Sequence, residues 1–568
     1  MRQKKLLFMR LLSPVSISPM AKWLAYGVMI GVVSGLGAIL FDFGLEWTSH
    51  VFVHGLLDHH PPATGEIEIF SESPVVGNRW LLFVIPTLGA LVSGFLVYTF
   101  APEAEGHGTD AAIRAFHFQD GLVRHRVPII KSIASMVVIG TGGSAGREGP
   151  IAQIGSGFAS WLADAFRLSV RDRRLMLLAG MAGGIGAIFR APLGGAIFAC
   201  EVLYYDTDIE AEGAIPCTIS SIVAYSVFYT VTGKSVLFAT QPHRFDSIYE
   251  LPLYGVLGVV CAIVGIFYVW VLYRGRDRVF KRLPISPILR TALGGLLLGG
   301  LAFFRPEVLS GGYGYVQQAI NGGLALYLMA ILVVAKILAT TFTISSGGSG
   351  GVFGPSLYIG AMVGGVCGKV FEHFWSDVIP IDSSAFVLVG MGGFFAGIAK
   401  VPFAALIMVA EMTGSYGLLV PMMLVCAVTY VCTARTRLYE EQVRSRIESP
   451  VHRGEMQVDL LDGLYVKELP LKTDVHCLRA DVPLRDILPM IPETQQNYFP
   501  VLGEDGQMCG IFSMDDIRQV LYEGHIGDLV IAGDIALTEF IYLVPDEDLH
   551  SALKKFTGLN LDELPVLE

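Results

Sequence analysis

Two short motifs rich in glycine and proline carry the residues best suited to bind an anion. Residues 142–150 have the sequence GGSAGREGP and residues 347–355 the sequence GGSGGVFGP, with six of nine positions identical. A helix that begins inside a membrane exposes four N–H groups, and the positive end of its dipole attracts an anion. Glycine lets the backbone approach a ligand closely, and an early proline has no N–H to leave unpaired. Gly146, Arg147 and Gly149 are therefore predicted to lie at an anion site, although close helix packing would also favour glycine.

A carboxylate occupies the middle of the first motif. Ionised, Glu148 can occupy the anion's own site, and protonated, it can vacate that site. Glu148 is therefore predicted to be both gate and proton acceptor, with a structural ion pair to Arg147 as the alternative. Lys131, one predicted span upstream, is predicted to add positive potential to the pathway.

The first motif also fits the G-x-S-x-G nucleophile elbow of serine hydrolases. An elbow needs a strand before it and a histidine partner. No strand-like run with α/β alternation precedes the motif, and the same pattern recurs at 347–351, which favours a backbone role. The eight cysteines form no CxxC pair and lie mostly in apolar runs. The sequence thus predicts neither an enzyme nor a metal site.

The composition indicates a membrane protein. Of the 568 residues, 53% are hydrophobic and 16% are charged, whereas soluble domains have about 25% charged residues. Five apolar stretches approach the roughly 20 residues of a transmembrane helix: 23–45, 80–100, 251–272, 324–342 and 416–431. Four shorter stretches are interrupted by glycine and proline: 128–141, 150–165, 176–203 and 385–411. Interrupted segments predict broken helices that line a cavity.

The membrane part is predicted to be duplicated. The two glycine motifs are 205 residues apart, and residues 181–201 match residues 391–411 at an offset of 210. Two motifs in the same order at nearly one offset indicate homologous halves, at about 20–225 and 250–435. Such halves in transporters are often inverted, with the substrate site between them. The predicted fold is an all-α polytopic domain made of two inverted repeats with broken helices.

The charge distribution separates a tail from this domain. The net charge is −11, with a balance of −15 from Glu440 onward and +4 before it. The acidic part begins where the apolar spans stop, which predicts a small α/β domain with no nucleic-acid surface. Residues 1–20 are predicted to be a cytoplasmic segment because of their basic residues, and the tail is placed on the same side.

These motifs resemble the CLC family of chloride channels and anion/proton exchangers, over residues ~20–440. The family signature GxxGREGP is present at 143–150 and its GxFxP element at 351–355. The resemblance implies that the Tyr439 hydroxyl and the backbone amides of Val352 and Phe353 hold the central anion. It also implies an external gating role for Glu148 and a homodimer in the lipid bilayer with one pathway per subunit.

Two positions depart from the family pattern. His107 replaces the serine of the family's GSGIP element, so it is predicted either to donate a hydrogen bond to the anion or to turn away from the pore. Val202 replaces a second glutamate that takes up protons in many exchangers, and an aliphatic side chain holds no proton. The sequence therefore favours a passive chloride channel over a chloride/proton antiporter. A non-transporting anion sensor is a further alternative.

Residues 441–568 resemble a pair of CBS modules. Residues 483–488 and 498–502 recur at an offset of 65, and the second module is expected to be incomplete. The strands of the first module are predicted at 500–502 and 510–512. Ser513 and Asp516 are predicted either to contact an adenine nucleotide or simply to cap a helix. Chloride is the expected substrate, and no cofactor is required.

Overall fold

The computed structural model divides the chain into two compact units, Met1–Val451 and His452–Glu568. It describes residues 19–62, 77–233, 236–245, 247–375, 377, 380–452, 464–491, 494, 496–521, 529–559 and 563–567. Most of the predicted N-terminal segment, residues 1–18, lies outside the described residues.

Among the described residues, eight α-helices form the first half of the first unit. They are α1 Pro19–Ser49, α2 Leu81–Phe100, α3 Thr109–Phe118, α4 Arg126–Gly140, α5 Glu148–Ala165, α6 Val170–Phe189, α7 Pro192–Glu201 and α8 Ala214–Thr232.

Eight further α-helices repeat this order in the described part of the second half. They are α9 Leu251–Arg274, α10 Pro287–Phe304, α11 Tyr313–Ile320, α12 Leu326–Ile344, α13 Phe353–Trp375, α14 Ser383–Ala399, α15 Pro402–Thr413 and α16 Leu419–Cys432. Each helix of the first half thus has a counterpart eight helices later, and the mostly helical fold with two repeats is confirmed.

Six helical segments among the described residues are long and apolar enough to cross a membrane. They are Lys22–Leu56, Leu81–Phe100, Ala211–Thr232, Ile248–Arg282, Pro287–Phe304 and Leu326–Ile344. The segments at 211–232 and 287–304 are absent from the spans predicted by sequence. Both contain several glycine, serine or proline residues, which dilute the apolar pattern.

Two of the four interrupted stretches are broken helices, as predicted, whereas 128–141 and 150–165 each correspond to one continuous helix, α4 and α5. The stretch at 176–203 is α6 followed by α7, and the break falls at Arg190, whose φ is 57°. Its counterpart at 385–411 is α14 followed by α15, and the break falls at Lys400, whose φ is 62°. A proline begins the second helix of each pair, where a missing N–H costs nothing.

Reciprocal contacts relate the two halves. Glu201, at the end of α7, accepts hydrogen bonds from the first amides of α15, those of Phe403 at 3.1 Å and Ala404 at 2.7 Å. Glu411, at the end of α15, accepts from the first amides of α7 at 3.1 and 2.7 Å. Each half thus caps a helix of the other, which is the contact pattern of a two-fold axis.

Two buried lysines repeat this symmetry. Lys131 Nζ donates to the carbonyls of Ala104 at 3.0 Å and Gly106 at 2.7 Å. Lys336 Nζ donates to two carbonyls of the equivalent loop before α11, at 2.9 and 2.8 Å. Both lysine side chains are 0% exposed. Each Nζ group donates to loop carbonyls that accept no hydrogen bond within a helix, so these buried polar groups are paired. The two amino groups thus hold the loops before α3 and α11 in matching ways.

The second unit has a three-stranded sheet in the order β1-β2-β3. Its strands are β1 Leu478–Arg479, β2 Tyr498–Leu502 and β3 Met508–Ser513, and its helices are α17 Leu484–Ile487, α18 Met514–Leu521, α19 Ala532–Ile535 and α20 Leu549–Leu559. The predicted strands at 500–502 and 510–512 are confirmed as an antiparallel pair. Leu478 pairs with Val501 in parallel, and Leu543 pairs with Val566 in parallel 65 residues later.

The reciprocal carboxylate caps give a stability prediction. We expect Glu201→Ala to lower the free energy of unfolding by about 1–3 kcal/mol, because two amides of α15 lose their acceptor. Glu201→Gln keeps one acceptor oxygen and is the matched control, with a smaller loss. Denaturant titration of the detergent-solubilised protein measures both. An unfolding midpoint of Glu201→Ala equal to that of the original chain would contradict the capping role.

Candidate anion site

The two glycine motifs meet where α5 and α13 begin. Gly146 and Gly351 form an antiparallel bridge: Gly146 N donates to Gly351 O at 2.8 Å, and Gly351 N donates to Gly146 O at 2.7 Å. Helix α5 starts two residues after this bridge, at Glu148, and α13 starts at Phe353. The opposite chain directions are those that an inverted repeat requires. The bridge brings two positive helix ends to one buried place.

The side chain of Glu148 lies between these helix ends. It is 2% exposed, and its Oε2 accepts a hydrogen bond from Gly354 N at 3.2 Å. Its Oε1 has no hydrogen-bond partner among the described residues. The carboxylate therefore takes up a position in which an anion would be bound by helix N-termini.

The glycines around Glu148 are required by close contacts. A Cβ on Gly146 would collide with Glu148 Oε2 and would lie 2.8 Å from Gly354 N. A Cβ on Gly149 would collide with the carbonyl oxygen of His107. A Cβ on Gly354 would lie 2.6 Å from the hydroxyl of Tyr313. Of the three, a side chain on Gly146 would fill the space that the carboxylate occupies.

Arg147 binds an acid other than Glu148. Its Nη1 donates to Asp42 Oδ1 at 2.6 Å, and its Nη2 donates to Ile188 O at 3.3 Å. The guanidinium also lies over the ring of Tyr313, with 5.5 Å to the centroid. The alternative of a structural ion pair between Arg147 and Glu148 is replaced by the pair with Asp42. Sequence analysis missed Asp42, an acid within the apolar run of α1.

A small cavity joins Glu148 to Tyr439. It has a volume of about 10 Å³, about the least that one water molecule needs. It is lined by Thr109, Glu148, Ile185, Phe189, Phe198, Phe353 and Tyr439. The structure thus brings together Glu148, Phe353 and Tyr439, as the resemblance implies. Tyr439 is 1% exposed, and Val352 is buried at the start of α13.

His107 lies at the edge of a much larger cavity of about 860 Å³, here called the vestibule. Gly106, His107, Asp110, Arg276 and Glu441 are among the residues that line it. The His107 ring centroid lies 5.6 Å from that of Tyr439. His107 thus stands between the vestibule and the small cavity.

An acid that sequence analysis missed supports this position. Asp110 accepts hydrogen bonds from the backbone N–H of Glu440 and of Glu441, both at 3.2 Å. It also lies 3.2 Å from His107 Nε2, measured to Oδ2. Asp110 thereby holds the chain that follows Tyr439. Its place three residues after His107, on the first turn of α3, was the available signal.

Two further predicted residues have fixed surroundings. Lys131 Nζ donates to the carbonyl of Gly106, the residue before His107, so its amino group lies beside the site, and its positive potential stays a prediction. Val202 is 0% exposed, and its carbonyl accepts from Gln442 Nε2 at 2.9 Å. Neither the valine side chain nor the glutamine amide titrates, so position 202 holds no proton.

The structure also bears on the predictions for the serine motif and for the tail. Helix α4, not a strand, precedes the 142–146 segment, and the Ser144 hydroxyl lies 3.3 Å from that of Thr340, so the elbow hypothesis is wrong.

Ser513 N and Oγ both donate to Asp516 Oδ2 at 2.7 Å, which is the geometry of a helix cap. Within the described part of the chain, no group of three or more potential ligands could hold a metal ion.

Comparison with known families decides the identity. The voltage gated chloride channel family model matches residues 89–434, which is more than half of the chain. This chain belongs to the CLC family. A CBS domain model matches residues 466–523.

Curated CLC proteins are similar over most of their length. A putative chloride channel protein ClcB-like of Ralstonia nicotianae is 30% identical over 361 residues, which are 63% of this chain and 83% of the relative. The H(+)/Cl(-) exchange transporter ClcA of Yersinia pseudotuberculosis is 29% identical over 412 residues, 71% of this chain and 82% of the relative.

Solved CLC structures share the fold. A slow cyanobacterial Cl-/H+ antiporter matches with a TM-score of 0.64 and 21% identity, over 79% of this chain and 100% of its own. A CLC-type fluoride/proton antiporter matches with a TM-score of 0.64 and 20% identity, over 76% and 100%. A eukaryotic CLC transporter matches with a TM-score of 0.58 and 19% identity, over 97% and 96%. At these identities the likeness concerns the fold alone.

The contacts of Gly146 give a direct test of the site. We expect Gly146→Ala to reduce anion flux by about tenfold or more, because the added methyl displaces the carboxylate of Glu148 by more than an ångström. Gly255→Ala, in α9, is the matched control, since its Cβ would meet nothing within 4 Å. Flux from anion-loaded proteoliposomes measures both variants. Equal fluxes would contradict the placement of the carboxylate against Gly146.

Proposed function

We propose that this CLC protein exchanges chloride for protons across the membrane, with Glu148 as both gate and proton carrier. The observation that carries the proposal is the Glu148 carboxylate, which is buried where the ends of α5 and α13 converge and bonded to Gly354 N. The family and the membrane-spanning helices support anion transport as such.

The proposed exchange differs from the passive channel that Val202 favours in the sequence. The curated relative from Yersinia pseudotuberculosis is named an exchange transporter, and two of the structural neighbours are antiporters. The passive channel is kept as the second candidate because Val202 and Gln442 offer no titratable group. Under exchange, protons must reach Glu148 by a route other than position 202.

The chemistry of exchange follows from competition for one position. Ionised Glu148 accepts from Gly354 N and excludes the anion from the helix ends. Protonation removes the charge, so the carboxyl group loses its attraction to the dipoles and an anion takes its place. The anion and the ionised carboxylate therefore alternate at the site, which couples proton binding to anion entry.

Proteoliposomes loaded with chloride test the proposal when efflux and external pH are recorded together. We expect chloride efflux to drive uphill proton movement. In Glu148→Gln, proton movement should fall by about 100-fold or more, because an amide cannot transfer the proton. Chloride efflux should continue in this variant, since a neutral side chain does not compete with the anion.

The matched control is Glu212→Gln, which removes a carboxylate from a surface pair with Arg171. It should behave as the original chain. Chloride efflux without uphill proton movement in the original chain would establish the channel instead. Binding of labelled chloride without any efflux would support the anion sensor and overturn transport.

Assembly and orientation are proposed from family likeness. We propose a homodimer with one pathway in each subunit, with both chain termini in the cytoplasm. Cross-linking in native membranes and protease protection of the two ends test these points separately. A monomer on cross-linking would contradict the dimer without affecting the transport proposal.

For the tail, we propose that residues 441–568 form a pair of CBS modules. The repeated parallel bridge, Leu478 with Val501 and Leu543 with Val566, supports this. An adenine nucleotide site at Ser513 and Asp516 remains a prediction, and the mutual bonds of these two residues favour simple capping.

Calorimetric titration of the full chain with ATP and with AMP tests the nucleotide site. If the site exists, Ser513→Ala should weaken binding by about fivefold to tenfold, because one neutral hydrogen bond is lost. Ser551→Ala is the control, because this serine lies in the first turn of α20, in the second repeat, where its amide donates to Asp548. Heat that is absent, or equal in Ser513→Ala, would leave capping as the role of Ser513.

A further inference from the structure

Basic residues are concentrated at the end of α9. The helical segment Ile248–Arg282 consists of a short turn, α9 and the two short turns Gly275–Val279 and Phe280–Arg282. Its last nine residues, 274–282, contain four arginines, one lysine and a single acid. The end of this one segment therefore has a net charge of +4.

The length of the segment places these charges at the membrane surface. At 1.5 Å per residue, the 35 residues of Ile248–Arg282 extend over about 50 Å, whereas the hydrocarbon core is about 30 Å thick. The uncharged stretch at 251–272 is by itself about 33 Å long. Residues 273–282 therefore lie in the layer of lipid headgroups. Arg276 and Lys281 line the vestibule, so this layer is on the vestibule side of the membrane.

Two of the five basic residues are neutralised by acids. Arg276 forms ion pairs with Asp277 at 2.8 Å and with Glu440 at 2.6 Å. Lys281 Nζ lies 3.1 Å from Asp277 Oδ1. The single acid of the segment is thus shared by the two basic residues that line the vestibule, and it leaves the other three unpaired.

These three residues, Arg274, Arg278 and Arg282, follow one another at intervals of four. All three are exposed, and none forms an ion pair with an acid in the described part of the chain. Residues four apart lie on the same side of a helix, so the three guanidinium groups form a row, here called the arginine column. Trp270 stands four residues before it, with its ring centroid 4.3 Å from the Arg274 guanidinium.

The arginine column has the chemistry of a phospholipid site. A guanidinium group donates two parallel hydrogen bonds to the oxygens of a phosphate group. Tryptophan is enriched at the level of the headgroups, and the Trp270 side chain is 48% exposed. The Phe267 ring stacks on Trp270, and both Phe267 and Val279 expose apolar surface. Acyl chains can cover this surface, whereas a free phosphate ion cannot.

We propose that the arginine column binds the headgroup of an anionic phospholipid on the vestibule side of the membrane. The phosphate group accepts hydrogen bonds from Arg278 and Arg282, and the acyl chains lie along Trp270 and Phe267. None of the three arginines is among the described residues that line the vestibule, so the lipid site is separate from the anion pathway. The inference does not depend on the proposed exchange of chloride for protons.

Quenching of Trp270 fluorescence by brominated lipids tests this site. The full chain is reconstituted into phosphatidylcholine vesicles with increasing fractions of dibrominated phosphatidylglycerol or dibrominated phosphatidylcholine. Because the chain has six tryptophans, the signal of Trp270 is the difference between the parent and Trp270→Phe. We expect phosphatidylglycerol to bind beside Trp270 at least about fivefold more tightly than phosphatidylcholine. High salt should reduce this preference, because it screens charges at the surface.

The double variant Arg278→Gln/Arg282→Gln removes two charges and leaves Arg274 next to the fluorescent ring. We expect its two association constants to agree within about twofold, because most of the attraction is gone. Arg278→Lys/Arg282→Lys keeps the charges and should retain at least about half of the preference. The lysine variant thus separates loss of charge from loss of the folded structure.

The matched control is Arg171→Gln/Arg444→Gln. It removes two exposed arginines that form ion pairs with Glu212 and Asp206, and it changes the net charge by the same amount. We expect the control to keep the preference of the parent. Equal quenching by the two brominated lipids in the parent would overturn the site, and so would a preference that persists in the double glutamine variant. An equal loss in the control variant would also overturn it.

Discussion

Backbone N–H groups at helix starts inside a membrane must find partners, and the rest of this structure depends on that constraint. Lipid offers no hydrogen bonds, so each unpaired group costs several kcal/mol. The chain satisfies its buried helix starts with negative groups and with each other: Gly146 bridges Gly351, and Glu201 and Glu411 cap helices of the opposite half. At the start of α13, Gly354 N is bonded to Glu148 Oε2, and Glu148 Oε1 has no hydrogen-bond partner among the described residues. Glu201 and Glu411, in contrast, each accept two amides, one on each carboxylate oxygen.

The parts of the fold that follow from sequence are those with local causes. Glycine and proline mark helix starts, so the α5 and α13 positions and the breaks near Pro192 and Pro402 are predictable. The repeat is visible because equal contacts require equal residues at equal spacing. The helices at 214–232 and 287–304 escape prediction because their glycine, serine and proline residues dilute the apolar pattern.

The residues of the candidate site likewise divide into those that sequence motifs identify and those that they do not. Glu148, Phe353 and Tyr439 can be named from motifs, and the structure brings them to one cavity. Asp42 and Asp110 could not be named, because their importance lies in partners far along the chain. Asp42 is 105 residues from Arg147, and Asp110 is more than 300 residues from the amides it accepts from. The chain has a valine without a titratable group at position 202 and a titratable histidine at position 107. Neither of these two facts can be inferred from the other in the sequence.

The reciprocal caps have a consequence for biosynthesis. Gly194 lies 217 residues before Glu411, the acid that satisfies its amide. At the usual 5–20 residues per second, roughly 10–40 s of translation separate the two. During that time the first half is already inserted while the start of α7 still lacks its acceptor. The nascent chain is therefore only partly assembled in the membrane until the second repeat has been synthesised.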